Sequence, residues 1–138
     1  MKDTLLVPAR YCGPARSGNG GYVAGALAQE IGDTGARAVT VTLRQPPPLD
    51  ATMRIAETDA GLELSFGGAV VAQAAFEDRS IEPVEAVPWD EAVAASASFA
   101  GHTSHPFPTC FACGTDRPDG LRIFPGQVTA ARDELTRV

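Results

Sequence analysis

The chain is poor in cysteine, histidine and aromatic residues, and it has no excess of basic charge. Its 138 residues include three cysteines, two histidines and one tryptophan. An odd number of cysteines disfavours a disulfide framework, and reduced thiols are typical of cytoplasmic proteins. With 11 Lys and Arg against 17 Asp and Glu, the formal net charge is −6. This charge disfavours a nucleic-acid-binding surface, which requires a basic face.

The chain also lacks a long apolar run. None of its apolar stretches approaches the roughly 18 residues of a membrane-spanning helix. The N-terminal stretch MKDTLLVPAR has an apolar core that is too short for a signal peptide. We therefore expect a cytoplasmic protein that binds neither membranes nor nucleic acid. A hydrophobic fraction of 44% is enough for the core of one ordinary domain.

Residues 21–32, GYVAGALAQEIG, have the pattern of a buried helix. Val23, Leu27 and Ile31 recur at a spacing of four, which predicts one apolar face. Gly32 is suited to end the helix, because glycine adopts the left-handed conformation common at that position. Three small residues predict a second side that presses closely against a sheet: Gly21, Gly25 and Ala28.

Strand-like stretches surround this helix. Alternation of apolar and polar residues in RAVTVTLRQ and ATMRIAET predicts half-buried strands, and Gly67-Gly68 between LELSF and AVVAQAAF predicts a hairpin. TLLVPARY predicts a first strand at a sheet edge, because Pro8 interrupts it. We expect an α+β core over residues 1–78, in which a curled antiparallel sheet wraps one central helix. Residues 79–100 are expected to form a connector with a short helix, followed by a Cys-, His-, Pro- and Gly-rich segment at 101–138.

Two stretches resemble a known family. SGNGGYVAGALAQEIG followed by VTVTLRQPPPLDATMRI resembles the hotdog fold, especially the first half of two-hotdog acyl-CoA thioesterases. In that family a His- or Asn-Gly-Gly turn opens the central helix, and a strand ending in an Arg-Pro-x-Pro-like segment follows. The resemblance covers about residues 10–77. It implies a hotdog-like fold, an acyl-CoA-type ligand and a homodimer or higher oligomer.

The start of the helix is the candidate ligand site. A helix N-terminus leaves backbone amides unpaired and carries partial positive charge. Gly20 and Gly21 let a ligand approach this backbone, and the amide of Gly21 is positioned to polarise a thioester carbonyl as an oxyanion hole does. Arg16 is a candidate partner for a phosphate of coenzyme A, and Tyr22, which completes the NGGY turn, is a further candidate ligand-binding residue. The alternative is that these glycines only permit tight turning and packing.

Hydrolysis also requires a group that activates water. The candidate catalytic residues are Asn19, Gly21 and Glu30, of which only Glu30 is a carboxylate. In two-hotdog enzymes the resemblance places the acid in the second half. Two alternatives therefore stay open: a thioester hydrolase, and a non-catalytic acyl- or CoA-binding or structural module.

HTSHPFPTCFACG gives the spacing His-x2-His-x4-Cys-x2-Cys. Imidazole and thiolate are zinc ligands, so His102, His105, Cys110 and Cys113 form a candidate zinc site. The stretch CFACGTDRPDGLRIF instead resembles the opening segment of a second hotdog domain, and a redox-active thiol pair is the third alternative. We expect reduced cysteines and no cofactor beyond the coenzyme A of a substrate. The segment would be anchored against the sheet by burial of four side chains: Phe107, Phe111, Leu121 and Phe124.

Overall fold

The computed structural model of the chain describes residues 2–32, 37–78 and 82–128. Contacts divide the chain into two compact units, Met1–Ile81 and Glu82–Val138. Residues 129–138, at the end of the expected C-terminal segment, lie outside the described residues. In the part of the chain that the structure describes, no helix has both the length and the apolar character needed to cross a bilayer.

In its described residues, the first unit is a curled, five-stranded antiparallel half-barrel with one α-helix, so the α+β class expected from the sequence is confirmed. The strands lie in the order β1-β3-β4-β5-β2, and every neighbouring pair is antiparallel. The elements in chain order are β1 (Thr4–Leu6), α1 (Gly20–Glu30), β2 (Ala38–Leu43), β3 (Thr52–Thr58), β4 (Gly61–Phe66) and β5 (Ala69–Glu77). As expected, the first strand lies at an edge and ends before Pro8.

Helix α1 is buried along one side only. Val23 and Leu27, one helical turn apart, are both fully buried and belong to the same core cluster as side chains from β3, β4 and β5. The expectation that Gly21 and Gly25 press against the sheet is wrong, because both are exposed. A Cβ atom added to Gly25 would meet nothing within 4 Å. The helix therefore buries the face that carries its larger apolar side chains, and these two glycines lie on the exposed face.

Side-chain alternation places the apolar face of the sheet toward α1. Met53 and Ile55 of β3 are buried, whereas the intervening Arg54 is exposed. The hairpin at Gly67-Gly68 is confirmed, with φ values of 58° and 83°. Both values lie in the region that glycine adopts without the steric cost of a Cβ, which is why this pair forms the turn.

Among residues 82–128, the second unit contains one short helix and little other regular structure. Helix α2 spans Trp89–Ser96, and a single 3₁₀ turn covers Ala100–His102. Pro88 precedes the first turn of α2, a position at which proline's missing amide costs no helical hydrogen bond. Phe107 and Leu121 are 45% and 58% exposed, so the expectation that burial of these two side chains anchors the segment is wrong. Phe111 and Phe124 are half-buried.

Candidate functional site

A loop that is closed by backbone hydrogen bonds leads into the start of α1. Cys12 and Gly18 form an antiparallel bridge, and the Gly13 amide donates to the Ser17 carbonyl at 2.9 Å. The Asn19 amide then donates to the Tyr11 carbonyl at 2.7 Å. These bonds fix the direction in which the backbone enters the helix, so the Gly20 and Gly21 amides occupy defined positions.

Asn19 caps the helix and leaves two amides uncommitted. Its side-chain oxygen accepts a hydrogen bond from the Tyr22 amide at 3.0 Å, and its carbonyl accepts from the Val23 amide at 3.0 Å. The amides of Gly20 and Gly21 have no acceptor among the described residues. Gly21 is also exposed. The helix start therefore presents N–H donors that a ligand can reach, at the positive end of the helix dipole.

The proline-rich stretch after β2 packs beside this turn. The Gly18 amide donates to the Pro47 carbonyl at 2.8 Å, and a Cβ on Gly18 would lie 3.0 Å from Val23 Cγ2. A Cβ on Gly20 would lie 3.0 Å from Leu43 Cδ1, at the end of β2. The NGGY turn and the LRQPPPL stretch, which are separate in sequence, are thus brought together.

An aromatic stack flanks the helix start. The rings of Tyr11 and Tyr22 are parallel within 9°, with centroids 3.9 Å apart, and the Arg10 guanidinium lies 5.2 Å from the Tyr11 ring centroid. Tyr22 therefore packs on protein through one face of its ring. Sequence reasoning missed Tyr11 and Arg10, because no local spacing links residue 11 to residue 22. Arg16 is exposed in the loop that precedes the helix.

Glu30 lies at the opposite end of α1. It is nine residues beyond Gly21, which corresponds to about 13 Å along a helix axis. Its carboxylate accepts a hydrogen bond from the Lys2 amide at 2.8 Å and lies 3.1 Å from Lys2 Nζ. The hydrogen bond from the Lys2 backbone, followed by the contact with its side chain, lowers the pKa of Glu30. The structure does not bring Glu30 together with Asn19 and Gly21.

The two histidines of the second unit are engaged with aromatic rings. His102 packs edge-on against Phe99 and Phe124, with centroids 5.4 and 4.8 Å apart, and its Nε2 lies 3.2 Å from the Ser96 carbonyl oxygen. His105 packs against Phe99 at 5.7 Å, and its Nδ1 accepts a hydrogen bond from the Phe107 amide at 2.9 Å.

The two cysteines of the second unit lie next to each other. Burial, and then a hydrogen bond with the Cys110 thiol, raise the pKa of Cys113. Across residues 2–32, 37–78 and 82–128, no group of three or more His, Cys, Asp or Glu side chains is placed to hold a metal ion. His102 and His105 are thus not assembled with Cys110 and Cys113 into a four-ligand site.

Comparison with protein-family models, with curated proteins and with solved structures finds no match to this chain. The case for a function therefore depends on the chain's own residues. Chemically, the start of α1 offers two backbone donors, a glycine surface without side chains and a neighbouring exposed arginine. This set of groups is suited to binding a carbonyl oxygen or an anion.

Proposed function

We propose that this chain is a hotdog-type, acyl-CoA thioesterase-like protein that binds an acyl thioester at the N-terminus of α1. The observation that carries the proposal is the pair of uncommitted amides at Gly20 and Gly21. They lie next to a cap in which the Asn19 side chain accepts the hydrogen bond of the Tyr22 amide. The strand order β1-β3-β4-β5-β2, with one helix on the apolar face of the sheet, supports the hotdog part of the proposal.

The amides would act on the thioester carbonyl. A carbonyl oxygen at the Gly21 amide accepts its N–H and gains from the positive end of the helix dipole. Negative charge that develops on this oxygen during attack is stabilised more strongly than the neutral carbonyl, so the same contact serves binding and catalysis. In this arrangement Gly20 keeps the approach free of side chains, and Arg16 is available to the phosphates of coenzyme A.

A second candidate function, binding without hydrolysis, is favoured by the position of Glu30. Its carboxylate is paired with Lys2 at the far end of α1, where it cannot reach a thioester held at Gly21. Hydrolysis would then require a carboxylate from a second hotdog half, supplied by another copy or another chain. In this role the chain is an acyl- or CoA-binding module that presents the thioester.

Self-association through β2 belongs to the same proposal. Both β1 and β2 are edge strands, but β1 has three residues and ends before Pro8, whereas β2 has six. A longer edge without proline presents more unpaired backbone groups to a second sheet. Leu43 of β2, beside Gly20, is 40% exposed. Pairing of two β2 strands would cover this edge and place the two helix starts near one interface, which analytical ultracentrifugation can test.

The direct test is a panel of acyl-CoA thioesters of increasing chain length. Isothermal titration calorimetry measures binding, and release of free thiol measures hydrolysis. Saturable binding together with thiol release supports the thioesterase, and saturable binding without thiol release supports the binding module. If neither the esters nor free coenzyme A bind, the proposed ligand site is wrong.

A further inference from the structure

The stretch from Cys110 to Cys113 forms a single helical turn. The Gly114 amide donates to the Cys110 carbonyl at 2.8 Å, four residues back, as in an α-helix. Side chains three residues apart lie on the same side of such a turn. The thiols of Cys110 and Cys113 are accordingly in hydrogen-bond contact, and neither cysteine forms a disulfide.

The surrounding backbone holds this turn in place. A Cβ on Gly114 would clash with backbone atoms of Pro108 and Cys110, so only glycine fits there in the observed conformation. The amides of Leu121 and Ile123 donate to the Phe111 and Ala112 carbonyls at 2.8 and 2.9 Å, which connects the turn to the segment that follows it.

Hydrogen bonds from the side chain of Arg117 also stabilise the turn. Arg117 Nη1 donates to the Thr109 carbonyl at 3.0 Å, and its Nε and Nη2 donate to the Asp119 carboxylate, each at 2.9 Å. The guanidinium also lies 5.5 Å from the ring centroid of Phe111. The two thiols are thus held together by contacts on both sides of the turn.

The two thiols differ in access to solvent. Cys110 is 6% exposed, whereas Cys113 is partly exposed. We propose that Cys110 and Cys113 are a reversible dithiol–disulfide pair, in which Cys113 exchanges with a low-molecular-weight disulfide of the glutathione class and Cys110 resolves the product. The proposal concerns the second unit and does not depend on thioester binding by the first.

The chemistry takes two exchange steps. Burial raises the pKa of Cys113, so only a minor fraction of this thiol is thiolate at neutral pH. This thiolate fraction attacks one sulfur of glutathione disulfide, which forms a mixed disulfide and releases one glutathione thiolate. The Cys110 thiol loses its proton, and its sulfur attacks the Cys113 sulfur, which closes the protein disulfide and releases the second glutathione. In balance, two protein thiols are oxidised to one disulfide, and one glutathione disulfide is reduced to two glutathione molecules. Excess reduced glutathione reverses both steps.

The test compares Cys110→Ser and Cys113→Ser in the full chain. Each protein is exposed to glutathione disulfide, quenched with acid and mapped by peptide mass spectrometry. We expect wild type to form the Cys110–Cys113 disulfide and to return to the dithiol in excess glutathione. Cys110→Ser should accumulate a glutathione adduct on Cys113. In Cys113→Ser, adduct formation at Cys110 should be at least about tenfold slower, because a buried thiol reacts only after local opening. Buried Cys12 serves as an internal control in every sample.

Equal reaction rates at Cys110 and Cys113 in the two variants would overturn the assigned roles. Stable glutathione adducts on wild type, without an internal disulfide, would overturn the pair itself. Gly114→Ala adds a test of the turn, since its Cβ displaces the backbone that aligns the thiols. We expect its mixed disulfide to persist longer than that of wild type, and equally fast closure would refute the role of the turn. Slow reaction of Cys110 in Gly114→Ala combined with Cys113→Ser shows that the unit remains folded.

Discussion

Leu27→Ala removes the largest fully buried side chain of α1 and tests whether this helix forms the core of the first unit. Leu27 is 0% exposed and belongs to the same core cluster as Met53, Leu64 and Val71. The substitution removes three carbon atoms, which at about 0.8 kcal/mol each cost about 2.4 kcal/mol in transfer free energy. A cavity that the fixed sheet cannot fill raises the cost, so we expect a loss of about 2–5 kcal/mol in the free energy of unfolding.

Urea denaturation followed by far-UV circular dichroism measures this loss. Fluorescence is unsuitable, because Trp89 belongs to the second unit and is 83% exposed. Gln29→Ala is the matched control, because Gln29 lies on the exposed side of the same helix, and it should change the free energy by less than about 0.5 kcal/mol. A loss below about 0.5 kcal/mol for Leu27→Ala would show that α1 contributes no core, and the fold would then be assigned wrongly.

Three further predictions concern the Asn19 cap, the pH dependence of the Lys2–Glu30 pair and zinc binding by the cysteines. Asn19→Ala should lower the free energy of unfolding by about 0.5–2 kcal/mol through loss of the bond to the Tyr22 amide, while Asn19→Asp retains it; equal urea midpoints for the two variants would contradict the cap. Because pairing with Lys2 lowers the folded-state pKa of Glu30, the pair stabilises the fold above the ordinary Glu pKa of about 4.3, and this stability is lost as pH falls through the lower folded value. Comparing urea midpoints of wild type and Glu30→Gln at neutral and acid pH measures this contribution, and parallel pH profiles would contradict it. Metal analysis of protein purified without added metal should give substoichiometric zinc, and stoichiometric zinc that is lost in Cys110→Ser would contradict this.

Local sequence signals predicted the helix and the hairpin. Val23 and Leu27 lie one helical turn apart on one face, and Gly67-Gly68 supplies positive φ at both turn positions, so each signal acts between residues close in sequence. The exposed position of Gly21 and Gly25 was not predicted. Small residues fit equally well against a sheet or toward solvent, and burial of Val23 and Leu27 decides between these two placements.

The composition of the candidate sites depended on contacts that the spacing of the motifs does not encode. Glu30 lies nine residues beyond Gly21, so the helix itself separates the two, and its carboxylate pairs with Lys2, 28 residues away. His102 and His105 have spacing suitable for zinc, yet both pack on Phe99 rather than beside the cysteines.

Ligand binding by Gly21→Val and Gly25→Val tests the central claim most directly. Both glycines lie in α1 and are exposed, so both variants place the same side chain on the same helix. Only the valine at position 21 would cover the uncommitted amides at the helix start. Titration calorimetry with the tightest-binding acyl-CoA should show at least a tenfold weaker affinity for Gly21→Val, equivalent to about 1.4 kcal/mol, and unchanged affinity for Gly25→Val. Equal affinity of Gly21→Val and wild type would contradict acyl-thioester binding at the start of α1.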